Sequence, residues 1–160
     1  MGLDVLTKKG KKALVDERKA MSAFFNKFSF KPVETPKNKP AICDGLLFSW
    51  PECEMKAVYE VKCRYDVDDI EFFCAYEGEW LVSEAKLKGC KNLADGLGVD
   101  FVGFLYLAKS STLLWKVIDN WKTKKTYTSK TVNNSQVVEK NNGFIDMRDA
   151  KCISDVNIYA

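Results

Sequence analysis

Histidine is absent from this sequence: none of its 160 residues is a histidine. The absence excludes every catalytic triad or general base built on imidazole, and every zinc site that combines cysteine with histidine. Six cysteines are present. No two of them form a CxxC pair, so a cysteine-only zinc site would need closer spacing. Much of the enzyme repertoire is therefore removed before any motif is considered.

Long hydrophobic runs are also lacking. The longest, FVGFLYLA at 101–108, is far shorter than the roughly 20 residues that a membrane span needs, and we expect no membrane partner. No signal-peptide pattern precedes the cysteines, and their spacing is not that of a secreted disulfide framework. The sequence therefore predicts a protein of a reducing compartment, the cytoplasm.

Neither sign of charge dominates the chain. The formal net charge is +3 and 29% of residues are charged, a mildly basic balance that permits a nucleic-acid partner without requiring one. With 46% hydrophobic residues, the chain is long enough to form one sizeable hydrophobic core but too short to form two stable domains. We expect a single domain over residues 1–160, with its core at about 11–118 and a C-terminal extension at about 119–160.

Helical and strand patterns alternate along the predicted core. An amphipathic helix is expected first, then strands that end in a hairpin, a short helix with an acidic start, a longer helix, and two further strands. The segments are, in that order, 11–28, 28–35, 41–50, 55–65, 66–79, 80–97, 99–108 and 112–119. After Asn120 the Lys, Thr and Asn content favours a peripheral hairpin or extension. This order predicts an α/β domain around a mixed central β-sheet.

The segment AVYEVKCRY at 57–65 carries three charges on one face of a strand. Residues Glu60, Lys62 and Arg64 alternate with apolar positions, as a period of two requires. If the hairpin loop is 50–54 and Ser49 faces Met55, antiparallel pairing places Asp44 directly opposite Glu60, with Cβ atoms about 5 Å apart. The spacing therefore brings two carboxylates together.

Two facing carboxylates repel each other unless a cation lies between them. Mg²⁺ is typically held by one or two carboxylates, waters and phosphate oxygens. An ammonium group beside such an ion, as Lys62 would provide, can position a water and stabilise charge on a phosphate. A half-exposed strand with its polar residues outward is the alternative, and the spacing alone leaves it open.

Three motifs stand in a distinctive order: CDGLL, YEVKCR and SEAKLKGCKNLADGLGVDFVGFLYL, after a helix that bears a glutamate. Together they resemble the PD-(D/E)XK nuclease superfamily over roughly residues 11–118. The resemblance implies an αβββαβ restriction-endonuclease-like core with a C-terminal β extension. It also implies hydrolysis of phosphodiester bonds with Mg²⁺ or Mn²⁺ as cofactor. One departure is Cys43, which stands where the family label has proline.

The resemblance assigns roles to five residues. It implies that Asp44 and Glu60 are metal ligands, that the main-chain carbonyl of Val61 completes the protein ligands, and that Lys62 assists the attacking water. Glu17 matches the helix glutamate that some members add to the metal shell. The catalytic set implied is therefore Asp44, Glu60 and Lys62.

Contacts to nucleic acid are expected from several further residues. Lys86 falls where many members carry a polar residue, and it either touches a phosphate or is a solvated helix lysine. Arg64 either binds a phosphate or pairs with an aspartate of the segment that follows. The stretch WKTKKTY interleaves aromatic rings with cations, as single-strand binding surfaces do, although a solvated basic segment has the same composition. Its candidate contacts are Trp121, Lys122, Lys124, Lys125 and Tyr127.

The sequence thus predicts a Mg²⁺-dependent deoxyribonuclease, acting on DNA rather than RNA. The alternative is a catalytically silent protein of the same fold that binds nucleic acid or a protein partner. The presence of Asp44, Glu60 and Lys62 together favours the enzyme. Since so small a core has no obvious specificity domain, a homodimer or a guiding protein partner would supply the targeting.

Overall fold

The computed structural model of the protein describes residues 7–128 and 138–160. Helices and strands follow one another along these residues with short connections. In chain order they are α1 (Lys8–Phe28), β1 (Phe30–Glu34), β2 (Gly45–Ser49), β3 (Met55–Arg64), α2 (Asp69–Cys74), β4 (Glu79–Ser83), α3 (Glu84–Leu97), β5 (Asp100–Leu107), β6 (Thr112–Val117), β7 (Lys122–Thr128), β8 (Val138–Asp146) and β9 (Lys151–Ile153).

The main sheet has the strand order β1-β2-β3-β5-β6-β9. Strands β3 and β5 are parallel, and the other neighbouring pairs are antiparallel. The predicted α/β architecture with a mixed central sheet is confirmed. β5 is buried along all but its first residue, as its apolar sequence predicts for a central strand. A parallel pair needs a crossover, and α2, β4 and α3 form it.

A second sheet, which the sequence analysis missed, has the order β4-β8-β7 and is antiparallel throughout. The prediction of one helix over 80–97 was wrong at its start: residues Glu79–Ser83 form β4. The helix begins at Glu84, where the Ser83 side chain accepts a hydrogen bond from the Lys86 amide. Because β8 pairs with β4 and β9 joins the main sheet, the C-terminal extension is integrated rather than peripheral.

The hydrophobic core lies on both faces of the main sheet. On one face α1 packs Met21 and Phe24 against Tyr59 and Phe104 of the sheet. On the other, helix α3 and the second sheet pack against β3 and β5, around residues that include Trp80, Leu87, Phe101 and Leu105. Among the described helices, none is long and apolar enough to cross a membrane. The two layers leave the carboxyl end of β3 flanked by helices on both sides.

The hairpin of β2 and β3 contains a bulge. Gly45 pairs with Tyr59 and Leu47 with Ala57, but Phe48 pairs with Met55, so Lys56 is an extra residue on β3. The predicted pairing of Ser49 with Met55 was therefore wrong. At the other end of the hairpin, Gly45 opposite Tyr59 is the predicted register.

Gly45 holds the hairpin close to its neighbours. A Cβ atom there would lie 2.5 Å from the Val33 carbonyl oxygen and 2.6 Å from the Tyr59 hydroxyl. We expect Gly45→Ala to lower the free energy of unfolding by about 1–3 kcal/mol, since the backbone or a buried ring must shift. Urea denaturation measures this free energy of unfolding. Gly96→Ala is the control, because a Cβ on that helical residue meets no atom within 4 Å. Equal unfolding midpoints for the two variants would contradict the prediction.

Candidate active site

Asp44 and Glu60 come together where β2 meets β3. Because Gly45 pairs with Tyr59, the next antiparallel position brings Asp44 alongside Glu60. The Asp44 amide donates to the Tyr59 carbonyl at 3.1 Å, and the Asp44 Oδ2 accepts from the Val61 amide at 2.8 Å. These two bonds fix the Asp44 side chain against β3. The structure therefore juxtaposes the two carboxylates that the sequence pattern placed on one face.

Glu60 is a carboxyl group buried in the sheet, with 1% of its surface exposed. Burial is the main cause, and the charge of Asp44 the next, of a pKa raised to about 8. Two ammonium groups act against this rise: Lys62 Nζ lies 3.4 Å from Oε1 and Lys86 Nζ lies 3.4 Å from Oε2. Among the described residues, Oε1 has this ion pair with Lys62 but accepts no well-aligned hydrogen bond. Lone pairs of this buried oxygen therefore remain for a ligand to use.

Glu17 on α1 shares a cleft with Asp44 and Val61. The cleft has a volume of about 260 Å³ and lies between the helix and the start of β2. Burial first, and the charge of Asp44 second, raise the pKa of Glu17 to about 7. The Glu17 carboxyl group thus faces the same cleft as Asp44 and is affected by its charge.

The donor atoms at this site suit a hard divalent ion. Within residues 7–128 and 138–160, no three histidine, cysteine or carboxylate side chains form a complete ligand group for a metal. Two carboxylates are nevertheless what Mg²⁺ takes from a protein when waters and a phosphate supply the rest. The buried Glu60 Oε1, which is ion-paired with Lys62 but accepts no well-aligned hydrogen bond, is an oxygen donor of the required kind. The residues therefore fit such an ion without enclosing it.

Lys62 stays protonated at this site. Burial alone would lower the pKa of its ammonium group, but the charges of Glu60, Asp44 and Glu17 outweigh burial, and the pKa is raised above its ordinary value. About half of the side-chain surface is exposed, at 51%. A protonated lysine cannot take a proton from water, so its chemistry here is that of a positive charge and a hydrogen-bond donor.

Comparisons with known proteins find a similar solved structure but no similar sequence. No protein-family model matches the sequence, and no curated protein matches it. Among solved structures, the chain is similar to Hjc, a Holliday junction resolvase from the archaeal hyperthermophile Archaeoglobus fulgidus. The TM-score is 0.46 at 15% sequence identity, and the match covers 89% of this chain and 92% of that chain.

Lys86 and Cys90 bring α3 to the carboxylates. The Lys86 ammonium donates to the Ala41 carbonyl at 3.3 Å in addition to its ion pair with Glu60. The Cys90 thiol lies 3.9 Å from Glu60 Oε2 and 3.3 Å from the Ile42 carbonyl. Sequence reasoning missed Cys90, although its spacing of four residues from Lys86 places both on one face of a helix.

Lys37 is a second residue that sequence reasoning missed. Its ammonium donates to the Asp44 carbonyl at 3.2 Å and lies 3.7 Å from Asp44 Oδ1. Glu34 lies 3.9 Å away and also pairs with Arg18 of α1 at 2.9 Å. Lys37 belongs to PKNKP, a stretch whose composition predicts only a turn. No sequence signal places that lysine on the site.

Arg64 pairs with the acidic segment that follows β3. Its guanidinium lies 3.2 Å from Asp66 and 5.2 Å from the centre of the Tyr76 ring. Of the two alternatives left by the sequence, the ion pair with an aspartate is present. The other acidic residues start α2, where Asp68 Oδ1 accepts from the Glu71 amide at 2.7 Å. The interpretation of this cluster as a helix start is confirmed.

The predicted strip WKTKKTY does not form one surface. Lys122, Lys124 and Lys125 are exposed on β7, and the Lys124 ammonium lies 4.7 Å from the centre of the Phe144 ring. Trp121 is partly buried and packs against the core, close to Gly143. The Tyr127 side chain lies outside the described residues. Trp121 therefore occupies the core side of the second sheet, and the lysines provide the exposed part of the strip.

Proposed function

We propose that the protein is a metal-dependent nuclease that hydrolyses phosphodiester bonds, with DNA rather than RNA as its substrate. The observation that carries this function is the buried Glu60 carboxyl group, which lies beside Asp44 and has an oxygen that accepts no well-aligned hydrogen bond. Two lysine ammonium groups lie 3.4 Å from its two oxygens. Carboxylates suited to a divalent ion and cations suited to a phosphate meet at one place, which is the combination that phosphodiester hydrolysis needs.

Asp44, Glu60 and the Val61 carbonyl would hold Mg²⁺ or Mn²⁺, with Glu17 as an additional ligand. When bound, such an ion supplies stabilisation of charge on a phosphate oxygen and a more acidic water. In the hydrolysis, the water oxygen forms a bond to phosphorus and the bond from phosphorus to the leaving oxygen breaks. The water releases a proton to the solvent, and the leaving oxygen takes up a proton from the solvent. Lys62 donates a hydrogen bond to the water or to the phosphate, and its charge stabilises the transition state.

Cleavage of labelled linear duplex, single-stranded and branched DNA, and of matched RNA, tests this function. We expect cutting of DNA in Mg²⁺ or Mn²⁺ and none in EDTA. Lys62→Ala should cut about a hundredfold more slowly, because one preorganised positive charge is lost. Lys56→Ala is the matched control on the same strand: that lysine has a side chain 46% exposed and pairs with Glu54 at the hairpin turn. Equal rates for the two variants would overturn the role of Lys62.

Binding without cleavage is the second candidate function. It is favoured by the ion pairs that Lys62 and Lys86 already make with Glu60 and by the incomplete ligand group in the described residues. It predicts retention of DNA or RNA with no cutting in any divalent ion. It also predicts no heat of Mg²⁺ or Mn²⁺ binding in calorimetry, whereas the nuclease requires such binding.

A further inference from the structure

A groove opens beside Lys62 and Lys86, on the side of the second sheet. It has a volume of about 920 Å³ and lies between the carboxyl end of β3, helix α3 and strands β4 and β8. Four basic side chains and one acidic side chain line it: Lys62, Arg64, Lys86, Lys140 and Glu79. This excess of positive charge is complementary to a polyanion.

The far wall of the groove is the outer face of the second sheet. Leu81 and Phe144 both line the groove and are paired neighbours on β4 and β8. Lys122 pairs with Phe144, and Lys124 pairs with Asn142, two residues before Phe144. Paired residues, and residues two apart, project from the same face of a sheet. Lys122 and Lys124 therefore extend the basic lining beyond the groove itself, while Lys125 projects from the opposite face.

Two aromatic rings of the groove lining are in contact with cations. Tyr76 is 49% exposed and carries the Arg64 guanidinium 5.2 Å from its ring centre. Phe144 is partly exposed and carries the Lys124 ammonium at 4.7 Å. Leu81, the paired neighbour of Phe144 in the groove lining, is 49% exposed. Rings and apolar side chains beside cations suit unpaired bases, whose faces are free to stack, whereas a duplex presents only its phosphates and groove edges.

We propose that this groove binds a single unpaired nucleic-acid strand and leads it to Lys62 and Lys86. The inference rests on the nuclease function proposed above, because the inner end of the groove is formed by the two lysines that flank Glu60. It narrows the substrate to a nucleic acid with a single-stranded segment next to the bond that is cut. Phosphates lie along Lys124, Lys140 and Arg64, and bases contact Phe144 and Tyr76.

Fluorescence anisotropy in EDTA measures strand binding without cleavage. The probe is a labelled oligo-dT of about 16 nucleotides, compared with a labelled duplex of equal length. Lys124→Ala should reduce the slope of log affinity against log salt by about 0.7, because one phosphate contact is lost. Lys125→Ala, a change of the neighbouring exposed lysine on the opposite face, should leave the slope unchanged. Phe144→Leu, which keeps an apolar side chain but removes the stacking ring, should weaken binding of oligo-dT at least about fivefold.

Three results would overturn the groove: equal salt slopes for Lys124→Ala and Lys125→Ala, unchanged affinity of folded Phe144→Leu for oligo-dT, or tighter binding of the duplex than of oligo-dT. If Phe144→Leu fails to fold, the comparison of salt slopes between Lys124→Ala and Lys125→Ala still tests the groove. The nuclease function fails separately. Strand binding with the predicted variant effects, but without cutting in Mg²⁺ or Mn²⁺, contradicts the nuclease and supports the groove. If the groove variants bind and cut as the wild type does, the result contradicts strand binding in the groove and leaves the nuclease function standing.

Discussion

The Glu60→Gln variant is expected to cut DNA at least about a thousandfold more slowly than the wild type, since a metal ligand contributes several kcal/mol to the transition state. Glutamine keeps the size of the buried side chain and removes its charge. The sheet therefore has no reason to rearrange, and a loss of rate reports the loss of the carboxylate. Single-turnover cleavage in Mg²⁺ or Mn²⁺ measures this rate.

The control for Glu60→Gln is Glu54→Gln on the same hairpin. Glu54 is exposed at the turn and pairs with Lys56. The Glu54→Gln variant should therefore cut DNA at the wild-type rate. Metal titration by calorimetry adds a second readout, with weaker Mn²⁺ binding expected only for the change at Glu60. Wild-type cutting by Glu60→Gln would show that the buried carboxyl group is structural.

The metal-free protein is expected to lose stability as pH rises from about 5 to about 8. The folded-state pKa values of Glu60 and Glu17 are about 8 and about 7, against an ordinary value of 4.5. Between the ordinary and the raised values, the folded state keeps protons that the unfolded state has released. Rising pH therefore favours unfolding. Between these two values each group contributes a slope of up to about 1.4 kcal/mol per pH unit. The stabilisation that it provides is complete below pH 4.5 and is lost as pH rises through its raised pKa.

Urea denaturation in EDTA across this pH range measures the slope, and Glu60→Gln should flatten it. Added Mg²⁺ or Ca²⁺ should stabilise the wild type more at pH about 8 than at about 5, because an ion competes with protons for the same oxygens. Two findings would contradict the prediction. One is the same slope for wild type and Glu60→Gln; the other is equal stabilisation by the ion at both ends of the range.

The part of the site carried by strands was predictable from the sequence. Period-two alternation in β3 places Glu60 and Lys62 on the same face of the sheet, independently of the turn conformation. Only a one-residue shift in the register of the whole strand would move them to the other face. The bulge at Lys56 altered the pairing near the turn, but it left Gly45 opposite Tyr59. Asp44 therefore lies where the alternation required, even though the predicted turn pairing was wrong.

The parts that depend on distant segments were not predictable. WLVS in β4 runs directly into a helical pattern, and its strand partner β8 lies about sixty residues later, so local periodicity gave no sign of pairing. Lys37 reaches Asp44 from a loop whose path no pattern specifies. Trp121 was assigned to an exposed strip because it has lysine neighbours, but it packs beside Gly143, a contact created by the pairing of β7 with β8.

The pairing of β4 with β8 also sets an order of assembly. The segments of the β2–β3 hairpin and of the crossover to β5 are synthesised before β8, because they precede it in the chain. During that interval β4 has an open edge, which is a template for pairing with other chains. The carboxylates can thus meet before the far wall of the groove has been made. The wall cannot be complete before Asp146 has been synthesised, so the strand binding that we propose for the groove requires nearly the whole chain.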